Sequence, residues 1–224
     1  MLKFYYHPLS PIARRVWLAL LEKAIAFEPV LVELKNRENL QPEYLALNPF
    51  HHVPVVVDGD LQLLESFAIL DYLEVKFPTP ALSPTTPVAI ARMKMVQLVI
   101  ANELMPQLPG LVFSNANSAQ SKADPTIPPQ LETVLTFLTA QLGTGHYFGG
   151  DRLSLADITV GAALPLMTRL GVNLQTYPAL AAWCDRLTQR AAWQQTDPDA
   201  ASLAAWQRWI TLMVQRKKRQ MAKG

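Results

Sequence analysis

The spacing of apolar positions changes character along this chain, and the changes separate two kinds of structure. Leu2, Phe4 and Tyr6 share one face of an alternating segment that ends at Pro8-Leu-Ser-Pro, which predicts a strand and then a loop. Ser10 then stands as an N-cap with Pro11 at the first helical position. Val16 and Leu20, flanked by Trp17 and Leu21, form the inward stripe of a first helix. Phe27 to Leu34 reads as a second strand, parallel to the first because a helical crossover joins them. A short helix over Gln41 to Leu47 follows. Val53-Pro-Val-Val-Val is a β-branched strand entered through an X-Pro bond, Asp58-Gly59 is a hairpin turn, and Leu61 to Leu64 is the returning strand. Phe67, Leu70 and Leu73 stripe the next helix, which begins at Glu65 and Ser66. The order β-α-β-α-β-β-α is thioredoxin-like.

Four prolines between Phe77 and Pro87 end that pattern, since they cannot continue a helix and they stiffen a connection. The boundary is placed there: an α/β thioredoxin-like domain over residues 1–77, a proline-rich linker over 78–87 and an all-α domain over 88–224. The second domain reads as helices over Val88 to Met105, Gln130 to Leu142, Ser154 to Leu170, Ala179 to Ala192 and Asp199 to Gln215, with a polar, proline-containing loop over 114–129. Ser154-Leu-Ala-Asp157 is a capping-box variant with Leu153 and Ile158 as its hydrophobic staple, so Asp157 is expected to serve folding.

Composition narrows the function classes. Half of the 224 residues are hydrophobic and the formal net charge is +2, which gives no general reason to expect nucleic acid as a partner. The basic run Arg216-Lys-Lys-Arg219 reads as a solvated tail. A single cysteine, Cys184, rules out an intrachain disulfide framework and a multi-cysteine metal site; its helical, apolar surroundings predict a buried thiol. No signal-like segment precedes the first strand and no apolar run reaches the roughly 20 residues that span a bilayer, so the expectation is a soluble, cytoplasmic protein with no membrane partner and no metal.

Two stretches carry candidate chemistry. Glu65 and Ser66 stand where outward-pointing backbone N–H groups attract a carboxylate, while a free Glu65 carboxylate binds an ammonium. One turn therefore offers both halves of an α-amino-acid head group, which is what a γ-glutamyl peptide presents. After strand one, a thioredoxin-like redox enzyme needs Cys-x-x-Cys, because exchange uses a thiolate and a resolving partner. Here the four residues are Ser10-Pro-Ile-Ala13, so dithiol chemistry by the protein is excluded. What remains is a hydroxyl at a helix N-terminus, able to hydrogen-bond another molecule's sulfur or to serve only as an N-cap. Arg14 adds positive potential there or is a solvated or carboxylate-paired arginine. Tyr5 and Tyr6 are rival hydroxyls, or strand packing.

The run V-P-V-V-V-D-G-D-(x)4-E-S-(x)-A-I-(x)2-Y-L resembles the glutathione-binding half of the cytosolic glutathione S-transferases, and the likeness extends from Lys3 to about Trp193. Ser10-Pro-(x)2-Arg-Arg-Val resembles the serine-type, bacterial-like members. The resemblance implies glutathione as co-substrate, Ser10 as the residue that stabilises its thiolate, and a cis Val53-Pro54 bond with Val53 binding the cysteinyl backbone through its main chain. It also implies that Glu65 and Ser66 hold the γ-glutamyl group and that His52 reaches the glycine carboxylate. Phe50 resembles a dimer key that inserts into a partner's helical domain, which implies a homodimer. His51 departs from the family, where glycine is frequent. The implied activity is conjugation of glutathione to small electrophiles, as in detoxification. Met93, Met95, Val96 and Val99 on the first helix of the second domain, with the loop Asn102 to Phe113, either wall a mixed apolar pocket or, as is more usual for a methionine-rich helix, belong to the core. A non-catalytic glutathione- or protein-binding module of the same fold, or a glutathione-dependent isomerase or peroxidase, remains the alternative.

Overall fold

The computed structural model describes residues 1–118 and 128–221. β1 (Leu2–Tyr6) forms because Leu2 and Phe4 bury on one face. Tyr6 continues that face, stacking on Phe4 at 5.1 Å and meeting Trp17 at 4.9 Å between ring centroids. α1 (Pro11–Glu22) leads to β2 (Phe27–Leu31), which pairs parallel to β1 as the crossover requires. The strand ends three residues before the predicted limit, because Leu34 opens a 3₁₀ turn, Leu34–Asn36. A short helix, α2 (Pro42–Leu45), precedes the hairpin of β3 (Val55–Asp58) and β4 (Leu61–Leu63), both antiparallel. Gly59 supplies the positive φ, 61°, that the two-residue turn needs. The sheet order is β2-β1-β3-β4, and α3 (Ser66–Lys76) completes the thioredoxin-like unit.

The rest is helical. α4 (Pro87–Val99) runs through a π turn at Ile100–Leu104 and a 3₁₀ turn at Met105–Gln107 into α5 (Leu108–Ser118). The predicted loop over 114–129 is therefore helical through Ser118; residues 119–127 lie outside the described residues. α6 (Pro129–Leu142) and α7 (Leu155–Arg169) follow. The single helix expected over Ala179 to Ala192 is two, α8 (Pro178–Thr188) and α9 (Ala191–Thr196), broken around Gln189 and Arg190. α10 (Ala200–Met221) continues through the basic run, which is helix and not tail.

α1 is the element the two halves share. Val16 and Leu20 bury against the sheet, while Leu18 and Ala19 join the core of the helical half, so the helix is apolar on two faces. Trp17 and Leu21 are only partly buried. α1 packs on α3, α7 and α9. Polar groups seal the contact: Arg190 reaches both oxygens of Glu22 at 2.9 and 2.5 Å, and buried Lys23 donates to Glu74 at 2.8 Å and to the Pro80 carbonyl at 2.6 Å. The proline-rich stretch is pinned from both sides. Glu74 accepts from the N–H groups of Leu82 and Ser83, and the Leu82 carbonyl accepts from Leu155. In α7, Gly161 admits Trp193: a Cβ there would lie 2.9 Å from the indole ring, and the indole N–H donates to the Gly161 carbonyl at 2.9 Å.

Candidate functional site

Six sequence-predicted site residues, Ser10, His52, Val53, Pro54, Glu65 and Ser66, line a single cleft of about 320 Å³ together with Ile12, Leu34, Asn39, Asn48 and His51. They arrive from three loops at one end of the sheet: the β1–α1 turn, the approach to β3, and the start of α3.

Ser10 caps α1 in an extended conformation, and its Oγ accepts from the Ala13 N–H at 3.2 Å. A hydroxyl has two acceptor sites and one donor, so capping uses a lone pair and leaves the O–H of this cleft-lining residue able to donate. The two roles weighed from sequence are compatible in one side chain. Neither Tyr5 nor Tyr6 lines the cleft: Tyr6 packs in the Phe4–Trp17 stack, where burial pushes its phenol up, and Tyr5 meets Tyr44 edge-on at 6.4 Å.

The approach to β3 is held by its carbonyls. Tyr44 Oη and Asn48 Nδ2 both donate to the His52 carbonyl, at 2.6 and 2.8 Å, and Asn39 Nδ2 donates to the His51 carbonyl at 2.8 Å. His51 sits at φ 54°, in the left-handed region that favours glycine, which gives a physical reason for glycine being frequent at this place. The Val53-Pro54 bond is cis. Pairing of β3 with β1 begins only at Val55, so the main chain of Val53 stands outside the ladder, against the cleft. His52 is exposed and its ring meets His51 edge-on at 5.1 Å.

Glu65, at φ 62°, precedes α3 with its side chain exposed and not engaged in capping. The first intrahelical bond joins the Ile69 N–H to the Glu65 carbonyl, so the N–H groups of Ser66, Phe67 and Ala68 have no acceptor within the helix and form an anion-attracting end.

The two arginines of α1 behave differently from expectation. Arg14 does not line the cleft and is neither solvated nor in an ion pair with a described carboxylate. It is buried, its Nε donates to Thr196 Oγ1 at 3.1 Å and its Nη2 to the Trp193 carbonyl at 3.5 Å, tying α1 to α9; burial brings its pKa down to about 10. Arg15, which sequence reasoning passed over, lies behind the start of α3. Its guanidinium sits 4.7 Å from the Phe67 ring centroid and Nη1 donates to Ser66 Oγ at 3.4 Å. Burial lowers its pKa to about 10, against the raising effect of Glu65. The signal was an Arg-Arg pair inside an apolar helix, where two adjacent charges point about 100° apart.

Asp157 is wholly buried and takes four hydrogen bonds: from the N–H and Oγ of Ser154 and from Phe148 N–H and Trp183 Nε1. Its expected folding role holds. Cys184 is buried as expected, and burial pushes its thiol up to about 12. Among the described residues no group of histidine, cysteine, aspartate and glutamate is arranged to hold a metal, and no helix is long and apolar enough to cross a membrane.

A thioredoxin-like sheet with a polar cleft at the α1 and α3 N-termini, followed by helices, defines a class that comparison makes specific. The family model of the glutathione S-transferase N-terminal domain matches residues 4–81 and that of the C-terminal domain residues 126–186; the chain belongs to the glutathione S-transferase family. It is 33% identical over 204 residues to glutathione S-transferase F10 of Arabidopsis thaliana, covering 85% of this chain and 94% of that one. It is 35% identical over 213 residues to glutathione S-transferase 3 of Zea mays, covering 87% and 92%. Among solved structures, glutathione transferase F7 from Populus trichocarpa matches with a TM-score of 0.73 at 28% identity, covering 88% of this chain and 97% of that one. A glutathione transferase homologue from Sulfitobacter with bound glutathione matches with a TM-score of 0.71 at 26% identity, covering 87% and 96%.

Proposed function

We propose that this protein conjugates the thiolate of glutathione to small electrophiles and that Ser10 is the catalytic residue. The observation that carries the reading is the convergence of Ser10, Val53, Glu65 and Ser66 on one cleft, with two helix N-termini facing it. Glutathione lies with its γ-glutamyl group at Glu65 and Ser66, its cysteinyl backbone along Val53 beside Pro54, and its glycine carboxylate toward His52. The sulfur then falls at Ser10. A free thiol has a pKa of about 8.5, and each unit of depression needs about 1.4 kcal/mol. A hydrogen bond to a charged group supplies roughly 1.5–3 kcal/mol and the helix end roughly 0.3–1 kcal/mol, so together they lower the pKa by about two units and make the thiolate the major form at neutral pH. The thiolate attacks an electrophilic carbon and a C–S bond forms; an aryl halide then loses halide with its electron pair, whereas in an isothiocyanate the C=N pair passes to nitrogen, which takes a proton from water.

In this reading residues 1–77 bind glutathione, 78–87 connect, and 88–224 supply the wall of the electrophile site, working in the cytoplasm. The protein acts as a homodimer. Phe50 is 60% exposed in its own chain, and a second hollow of about 390 Å³ along α4, walled by Ala91, Met95, Leu98, Val99 and Asn102, offers a partner's ring an apolar seat. Phe50→Ala is expected to weaken the dimer by roughly 2–4 kcal/mol, read by sedimentation across a dilution series.

The test of function is the ultraviolet absorbance of bound thiolate followed against pH, alongside turnover with a generic aryl halide and an isothiocyanate. A thiolate titrating well below the free thiol, with turnover, is the expected result. Binding without turnover would make the chain a glutathione-holding module instead.

A further inference from the structure

The basic run Arg216-Lys-Lys-Arg219, unused by the function above, forms the last two turns of α10. That helix gives its inner face to the protein: Leu203 and Trp206 are buried, Ile210 packs beside them, and the helix lies against α5. At 100° per residue, Arg208, Leu212, Arg216 and Arg219 fall together on the opposite face. All four are exposed, with Leu212 53% and its neighbour Met213 46% accessible, and Trp209 stands half-buried at the edge. No described acidic side chain forms an ion pair with these three arginines. Residues 200–224 contain six Lys and Arg and no Asp or Glu, whereas the rest of the chain has 14 against 18. The near-neutral total therefore hides a C-terminal stretch of +6, five of those charges on α10, against −4 for the rest of the chain.

A solvated helix end accounts for the arginines but not for Leu212 held in water among them, nor for Met213 exposed on the flank beside them. A nucleic-acid backbone would take the arginines and gain nothing from Leu212 and Met213. A bilayer with anionic headgroups uses both, because phosphates take the guanidinium groups while the apolar side chains reach the acyl boundary and the arginine stems lie along it. The geometry points to the outer face of α10 as a docking surface for an anionic phospholipid bilayer. The helix lies on the membrane, so the charge that keeps it from spanning a bilayer has no bearing on it.

Co-sedimentation of the full chain with vesicles tests this, using phosphatidylcholine alone and phosphatidylcholine mixed with phosphatidylglycerol. Binding is expected only to the mixed vesicles and is expected to fall with salt. Each basic side chain at an anionic surface contributes about a five-fold factor, so Arg216→Glu with Arg219→Glu should lose at least about 25-fold. Leu212→Ser with Met213→Ser should lose about 5- to 10-fold while leaving binding to heparin, a lipid-free polyanion, unchanged. Both double variants should keep the wild-type melting temperature and conjugation rate. Equal binding to phosphatidylcholine alone would overturn the proposal. So would wild-type vesicle binding by the Leu212/Met213 variant, which would reduce the face to a bare polyanion site, or displacement of vesicles by equimolar duplex DNA.

Discussion

Two of the described helices have a serine as N-cap, and they put it to opposite uses. At α1 the N-cap Ser10 accepts one backbone bond and faces a cleft, so its hydroxyl proton stays available. At α7 the N-cap Ser154 is buried, and its Oγ donates at 2.7 Å to Asp157, itself filled by three further donors. Local geometry is similar; occupancy of the hydrogen-bonding capacity is not. A cap whose every donor and acceptor is satisfied holds a fold, and a cap with a spare donor at an open surface can hold a ligand.

The hardest test of that contrast is Asp157→Ala. It would orphan the buried Trp183 Nε1 and the N–H groups of Phe148 and Ser154, and should cost about 3–5 kcal/mol, lowering the melting temperature by about 10 °C. A shift of only a degree or two would remove the distinction between the two caps. Ser10→Ala should do the reverse, costing about 1 kcal/mol of stability as a lost cap but lowering the conjugation rate about 10- to 150-fold at neutral pH. The pKa of bound glutathione should rise by one to two units. If Ser10→Ala kept full activity and an unchanged thiolate titration while Tyr5→Phe or Tyr6→Phe lost both, the hydroxyl would come from β1.

Smaller effects sharpen the comparison. Ser66→Ala lies at the other helix end of the cleft, remote from the sulfur, and should raise the KM for glutathione about 3- to 10-fold with little change in kcat. Asp157 adds a pH signature. Burial raises its pKa in the folded protein, so the native state holds this proton more tightly than the unfolded chain. The stability it contributes is therefore present at low pH and declines as pH rises through the folded value. The gap between wild type and Asp157→Asn, measured by urea denaturation, should widen from pH 7 toward pH 4.5; a narrowing would contradict the raised value.

Much of this was legible in the chain. Period-two alternation at Leu2–Phe4–Tyr6, the Asp58-Gly59 turn and the helical stripes gave the element order, because strand and helix periods are imposed by the backbone itself. The placing of Ser10 and of Glu65-Ser66 at helix starts was legible because helix ends announce themselves by residue type. The break between α8 and α9 was not, since Ala, Leu and Trp continue across it at helical spacing. Arg14 and Arg15 could not be told apart either: both sit in the same apolar context, and only the positions of α3 and α9 around α1 decide that one ties down Thr196 and the other backs Ser66.

By itself, then, the sequence determined the order of elements, the absence of a Cys-x-x-Cys dithiol, and which side chains stand at helix ends, since these follow from local steric and hydrogen-bonding preference. Only the tertiary structure decided that three loops spread between Ser10 and Ser66 share one cleft, that Ser10 stays open while Ser154 is sealed, and that the outer face of α10 is left uncovered. Those outcomes depend on which faces are buried against which, and burial belongs to the packed whole and not to any stretch of chain.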